Sequence, residues 1–112
     1  NVFYMAKKYG VSATGIEANI LLYGLSRALR WLKNINNAHL IHQRAEHTNF
    51  RGYDVIYAFL IASYTEKVDS KLKKECKKGT IIISHGFKLK KLNDKLFYTL
   101  NAKPFCTYYY KL

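Results

Sequence analysis

A single acidic residue, Glu17, stands where an apolar segment gives way to a helical pattern. The segment Ala13–Asn19 reads as the end of a buried strand, an acid at its tip and the start of a helix. A carboxylate next to an apolar run is costly to desolvate unless it accepts hydrogen bonds, for instance from a ligand. The alternative is that Glu17 caps the helix and favours its positive end. The segment alone leaves both interpretations open.

Ring-bearing side chains fall near the carboxyl ends of two other apolar segments. They are Tyr57, Phe59, His85 and Phe87. In open α/β sheets, ligands bind at this edge of the sheet. Rings placed there line a substrate channel or hold a cation, or they pack in the core and against the flat ring of a cofactor. The packing role is favoured for Phe59, whereas Tyr57 and His85 are candidates for the substrate side.

Metal and thiol chemistry are disfavoured by the spacing of the histidines and cysteines. His39 and His42 lie three residues apart on a predicted strand, so they point to opposite faces, and neither they nor His47 have a carboxylate or cysteine partner at ligand spacing. We therefore predict no metal site. Cys76 and Cys106 stand alone without a CxxC pair, which indicates free thiols in a reducing, cytoplasmic compartment.

The elements that must position these residues alternate along the chain. Helical periodicity and cap residues predict helices, and short apolar runs predict strands. The predicted helices are Val2–Tyr9, Ile20–Lys33 and Glu66–Lys78, and the predicted strands are Val11–Glu17, Ala38–Gln43, Tyr53–Phe59, Thr80–Ser84, Lys95–Leu100 and Cys106–Leu112. This alternation implies a mostly parallel sheet with helices on both faces. The nearly unbroken apolar run Tyr53–Phe59 suits a parallel strand buried on both faces. The second helix has an apolar stripe of leucines, which are Leu21, Leu22, Leu25, Leu29 and Leu32. The short connection between the last two strands makes them an antiparallel hairpin.

Composition limits the class of protein and of partner. The chain has 112 residues and 49% hydrophobic residues, which suits one globular domain over residues 1–112. Its formal net charge of +12 favours anionic partners such as nucleic acid, acidic protein or a lipid surface. The alternative is a lysine-rich composition without selection for a partner, since only four of the basic residues are arginine. No segment is long and apolar enough to predict a membrane span.

Four segments give the chain a resemblance to the class I S-adenosylmethionine-dependent methyltransferases. Thr14–Asn19 is similar to their second strand and its acid, and Arg44–Glu46 to the loop after their third strand. Tyr53–Phe59 and Lys78–His85 are similar to the fourth and fifth strands. The family has a Rossmann-like sheet with the strand order 3-2-1-4-5-7-6, in which strand 7 is antiparallel.

The resemblance implies S-adenosyl-L-methionine as cofactor and assigns roles to the matching positions. The acid at the second strand would hold the ribose hydroxyls, so Glu17, Ala18 and Asn19 are predicted cofactor residues. The loop acid would meet the adenine amine, so Ala45 and Glu46 join them, and Phe59 packs beside the cofactor. The family's first strand and Gly-rich loop would precede Asn1 and are absent from the chain, which predicts that these residues alone bind the cofactor poorly.

The acceptor of the methyl group is predicted from a narrower resemblance. The sequences GIEAN, YDVIYAFL and GTIIISHGF resemble the small family of protein-lysine methyltransferases that act on mitochondrial carrier and ATP-synthase subunits. Protein lysine is therefore the favoured acceptor, and the location is mitochondrial if the source is eukaryotic. An RNA methyltransferase and a non-catalytic basic module that binds RNA or an acidic surface are the alternatives. The oligomeric state does not follow from the sequence.

Overall fold

The structure is a computed structural model that describes residues 2–60 and 62–112, without the side chains of Val2 and Met5. The start of the chain at Asn1 lies outside the described residues. The chain forms two compact units, Asn1–Thr48 and Asn49–Leu112. Each unit is described below by itself, as unit 1 and unit 2.

Unit 1 contains two helices and a two-stranded parallel sheet. Its elements are α1 (Val2–Tyr9), β1 (Ala13–Glu17), α2 (Ile20–Leu32), β2 (Ala38–His42) and a 3-10 turn (Ala45–His47). Gly10 follows α1 with a φ of 62°, a left-handed conformation that glycine adopts freely, so the predicted end of this helix is confirmed. The predicted strands and the second helix are also confirmed, with ends that shift by one or two residues.

The core of unit 1 lies between α1 and the start of β2. Ala6, Ile35 and Ala38 are buried there, and Phe3 and Ala13 pack against them. The amide of Asn37 donates to the carbonyl oxygens of Ala6 at 2.7 Å and Val11 at 2.8 Å. Because these carbonyls belong to the end of α1 and the segment before β1, one side chain ties three parts of the unit together.

Helix α2 presents its polar side, not its leucines, to the neighbouring strand. Tyr23, Ser26 and Arg30 are the half-buried positions, and the Arg30 Nε donates to the Ala38 carbonyl. The stripe of leucines predicted from the sequence is on the opposite side and exposed, with Leu21 75% accessible. Helical periodicity thus identified the apolar face, but nothing in the described residues covers it.

Unit 2 contains a four-stranded sheet with one helix and a short 3-10 segment. Its elements are β3 (Val55–Ala58), α3 (Ala62–Glu75), β4 (Ile81–His85), the 3-10 segment (Lys90–Lys95), β5 (Leu96–Leu100) and β6 (Thr107–Lys111). The strand order is β3-β4-β6-β5, with β3 and β4 parallel and β6 antiparallel to both of its neighbours. The predicted terminal hairpin is confirmed. Helix α3 is helical from Ala62, four residues before the predicted start.

The buried side chains of unit 2 come from one face of its sheet, from α3 and from the segment after β4. They include Val68, Leu72, Ile82, Leu89, Leu92 and Tyr110. The prediction that β3 is buried on both faces was wrong, because Val55 is 51% and Tyr57 59% exposed. Strand β3 is an edge strand of the four-stranded sheet, and its Val55–Tyr57 side is open to solvent.

The observed topology matches the order expected from the resemblance. Counted in the family's numbering, the two sheets read 3-2 and 4-5-7-6, which are the parts of its order on either side of strand 1. The Rossmann-like, mostly parallel α/β fold with a C-terminal antiparallel hairpin is therefore confirmed. Within the described residues, no strand pairs with both β1 and β3.

Candidate functional site

The turn between β1 and α2 holds the Glu17 carboxylate in a fixed position. Its Oε1 accepts the backbone N–H of Asn19 at 2.9 Å. No other described donor bonds to this carboxylate, so Oε2 remains for a ligand. The sequence left open whether Glu17 meets a ligand or supports the helix start, and the geometry allows it to do both with different oxygens.

Asn19 is the residue that caps α2, as its type and position predicted. Its Oδ1 accepts the N–H groups of Leu21 at 2.9 Å and Leu22 at 3.2 Å. These donors have no partner within the helix, so the cap stabilises the first turn. The cap also fixes where the chain leaves β1, and hence where the Glu17 carboxylate lies.

His42 contacts the Glu17 turn, although sequence reasoning considered it only as a metal ligand. It ends β2, directly opposite Glu17 in the parallel register. Its Nε2 lies 3.0 Å from the Ala18 carbonyl oxygen, and its ring stacks on Tyr23 at 5.4 Å. The signal that would have revealed it is the register, which places the last residues of two parallel strands side by side.

The turn that follows β2 carries Ala45 and Glu46 and is joined to the Glu17 turn through the backbone. The N–H of Gln43 donates to the Glu17 carbonyl at 3.0 Å. Glu46 forms an ion pair with Arg44 at 2.8 Å, and its side chain is 17% exposed. The structure therefore brings Glu17, Ala18, Asn19, Ala45 and Glu46 to the same edge of the two-stranded sheet.

Unit 2 places a three-ring cluster where β3 and β4 end. Phe59, His85 and Phe105 have ring centroids 5.2–5.6 Å apart and meet edge to face. The Nδ1 of His85 lies 2.8 Å from the Thr107 hydroxyl, which fixes the orientation of the imidazole. Phe59 and His85, which the sequence proposed separately, are thus in contact. Phe105 and Thr107 were not predicted, because the residues that pack on this edge come from the hairpin.

Gly86 allows this cluster to form, whereas Tyr57 lies outside it. Gly86 has a φ of 95°, and a Cβ at this position would lie 3.3 Å from Cε2 of Phe59. Its N–H donates to the Cys106 carbonyl at 2.8 Å, which holds the turn against the hairpin. Tyr57 is exposed on β3 and makes no ring contact with the described residues.

The cysteines and histidines do not form a second site within the described residues. Burial, and secondarily the charge of Glu75, raises the pKa of the Cys76 thiol to about 11, so this thiol stays protonated at neutral pH. Both cysteines are free. No group of three or more His, Cys, Asp or Glu side chains among the described residues has an arrangement for holding a metal ion.

Comparison with known proteins identifies a family and a set of structural neighbours. Residues 1–95 match the family model described as the ANTKMT methyltransferase domain. An RNA methyltransferase from Salinibacter ruber, solved in complex with S-adenosyl-L-homocysteine, has a TM-score of 0.89. It is 18% identical, and the match covers 98% of this chain and 71% of that one. No protein of curated function matches the chain.

A second structural neighbour was solved with S-adenosylmethionine bound. A mutant of the protein MtNAS, in complex with S-adenosylmethionine, has a TM-score of 0.76 and 13% identity. The match covers 97% of this chain and 49% of MtNAS, so the chain spans about half the length of that protein. In the described part of the chain, no helix has the length and apolar character to cross a bilayer.

Proposed function

The chain belongs to the ANTKMT methyltransferase domain family, and from this membership we propose that it transfers the methyl group of S-adenosyl-L-methionine to a lysine side chain of a protein. The observation that carries the proposal is the match of this family over residues 1–95, which include the Glu17 turn and, of the three-ring cluster, Phe59 and His85. Methyl transfer from S-adenosylmethionine is the activity of the family. The choice of lysine as acceptor follows from the resemblance to its protein-lysine members.

The chemistry of the Glu17 turn fits the adenosine part of the cofactor. Ribose hydroxyls are hydrogen-bond donors, and Glu17 presents a half-buried carboxylate whose Oε2 accepts from no described donor. We assign the ribose to Glu17. Ala18 and Asn19, which belong to the same turn, are assigned to the cofactor as well. Ala45 and Glu46 are assigned to the adenine, because their turn is joined to the Glu17 turn through Gln43.

When bound, S-adenosyl-L-methionine supplies an electrophilic methyl group on its sulfonium. The protein contributes position, exclusion of water and removal of one proton, because a lysine attacks only as the neutral amine. We propose that Nε2 of His85 accepts the proton that the lysine loses. When Nδ1–H donates to the Thr107 hydroxyl, the lone pair of Nε2 is free to accept it. Phe59 and Phe105 pack against the His85 ring. Phe59 stays assigned to packing beside the cofactor, and Tyr57 is the second acceptor-side candidate.

A radiolabelled transfer assay tests this function. The full-length protein is incubated with methyl-labelled S-adenosylmethionine and a cell extract, and the products are digested with protease or with ribonuclease. We expect label that is lost on protease digestion and that elutes as methyllysine after acid hydrolysis. Label that is released only by ribonuclease contradicts lysine as the acceptor and leaves the methyltransferase assignment standing.

RNA is the second candidate acceptor, on the strength of charge. The net charge of +12 suits a polyanion, and the Salinibacter ruber neighbour is itself an RNA methyltransferase. A non-catalytic RNA-binding module is distinguished from both enzymes by its indifference to the cofactor. In that case S-adenosylhomocysteine would leave the melting temperature of the full-length protein unchanged.

A further inference from the structure

The turn that carries Glu17 is bonded by the side chain of His42, which belongs to the neighbouring strand. Within the described residues, His42 alone sends a side chain from another element to bond Glu17, Ala18 or Asn19. A carbonyl oxygen only accepts, so the Nε2 of His42 must carry the proton and donate to Ala18 over 3.0 Å. The Ala18 carbonyl and the Asn19 N–H belong to one planar peptide group, so a bond that holds the carbonyl also holds the N–H that donates to Oε1 of Glu17.

Two further contacts fix the His42 ring so that it can perform this role. The parallel register pairs His42 with Glu17, which brings the histidine to the end of the neighbouring strand. Tyr23, from the first turn of α2, stacks on the imidazole with an angle of 27° between the rings. The histidine therefore joins three elements at the turn: β2 through its backbone, the turn through Nε2 and α2 through its ring.

We propose that His42 is a positioning residue for the cofactor, which holds the Ala18 carbonyl so that the Glu17 carboxylate is directed at the ribose. The inference rests on the proposed function, because it takes Glu17 as the ribose ligand. His42 does not itself touch the cofactor or the reacting atoms. Its effect is on cofactor affinity, since the turn is ordered before the ligand arrives and less freedom is lost on binding.

The test compares three variants of the full-length protein. His42→Leu removes the donor, His42→Gln places an amide N–H near the position of Nε2, and His39→Leu is the matched control on the same strand. Affinity for S-adenosylhomocysteine is measured by calorimetry, with KM for the donor and kcat alongside. We expect His42→Leu to bind about three- to tenfold more weakly, with KM raised and kcat retained, and the other two variants to bind within about twofold of wild type.

The outcomes separate the positioning role of His42 from the proposed methyltransferase function. If His42→Leu binds as wild type does, or if His42→Gln loses as much affinity as His42→Leu, the positioning role is wrong. A fall in melting temperature of His42→Leu without weaker binding has the same meaning, because it shows a purely structural contact. If the wild-type protein itself does not bind S-adenosylhomocysteine, the proposed function fails before His42 is tested.

Discussion

Oε1 of Glu17 accepts the Asn19 N–H, and the proposed function assigns Oε2 to the ribose, so substitutions can separate the two roles. Glu17→Gln keeps an oxygen that accepts the Asn19 N–H and removes the charge that strengthens hydrogen bonds from the ribose. We expect its affinity for S-adenosylhomocysteine to fall by about tenfold or more, with the melting temperature of the ligand-free protein unchanged. Isothermal titration calorimetry measures the first quantity and thermal denaturation the second.

The control for this variant is Glu66→Gln, because Glu66 is an exposed acid of α3 whose described ion pair with Lys90 is long, at 3.9 Å. Removing its charge leaves the affinity unchanged if the Glu17 effect is local. Equal losses in the two variants would mean that the overall charge, and not the ribose contact, governs binding.

Glu75 makes the stability of unit 2 sensitive to acid. The hydrogen bond from Lys71, together with the N–H of Phe50 at 3.0 Å, lowers the pKa of this carboxyl below its ordinary value of 4.5. A lowered folded-state pKa adds stability above pH 4.5, and this is lost as the pH falls through the folded-state value. We therefore expect Glu75→Gln to be less stable at neutral pH and to lose less stability on acidification, as measured by urea unfolding at a series of pH values.

The positions of some site residues follow from the sequence because they depend on local order. Glu17 and Asn19 lie where a strand pattern stops and a helix pattern starts, and the N-cap preference of Asn is a local property. The role of His42 depends instead on the pairing of two strands and on the rotamer of Tyr23. The Phe105 contact likewise requires the path of the hairpin, which local spacing does not contain.

Asn37 joins elements that would otherwise be held in unit 1 by few buried side chains. Asn37→Leu leaves the carbonyl oxygens of Ala6 and Val11 without their amide donor. We expect the free energy of unfolding to fall by about 1–3 kcal/mol, measured by urea denaturation. Asn36→Leu is the control at a neighbouring exposed position, and an equal loss there would assign the effect to the added apolar surface.

The three-ring cluster depends on the absence of a side chain at Gly86. Gly86→Ala forces an alanine into a φ of 95° and brings its Cβ to 3.3 Å from Phe59. We expect a loss of about 1–3 kcal/mol in unfolding free energy, with reduced methyl transfer, because Phe59 must move away from His85. Gly52→Ala is the control, since Gly52 has open space and no left-handed φ. Full activity in Gly86→Ala would show that the cluster is not needed in this form.

At the scale of elements, the sequence predicts the alternation of helices and strands. It does not predict which of their apolar faces are covered by other elements. The order of strands, the parallel pairs and the terminal hairpin follow from connection lengths. The partner of an apolar face does not, because periodicity states only that a face is apolar. The leucines of α2 and the Val55–Tyr57 side of β3 were both expected to be buried, and both are exposed.

At the scale of the whole molecule, the charge makes a prediction that differs between the two acceptors. Most of the lysines lie in residues 49–112, and the net charge is +12. Binding to a generic RNA should therefore weaken about tenfold or more between ~50 and ~200 mM salt, because the contacts release counterions. Filter binding with a labelled single-stranded RNA measures it.

A specific RNA acceptor would leave a part of this affinity that resists salt and increases with S-adenosylhomocysteine. If no part of the RNA affinity resists salt and increases with S-adenosylhomocysteine, the result agrees with a protein acceptor. Composition predicts only that the partner is anionic, whereas the proposed function makes the identity of the acceptor depend on the shape of a few side chains around His85.

The bond from the Asn19 amide to Glu17 gives the experimenter a spectroscopic probe inside the site. A ligand that donates a hydrogen bond to Oε2 redistributes charge over the whole carboxylate. This changes the chemical shift of the Asn19 amide proton, which is bonded to Oε1. If Glu17 binds the ribose as proposed, the Asn19 resonance of an isotope-labelled sample therefore moves as the cofactor binds. Titration of that one signal would report occupancy without a radiolabel, an acceptor or any turnover.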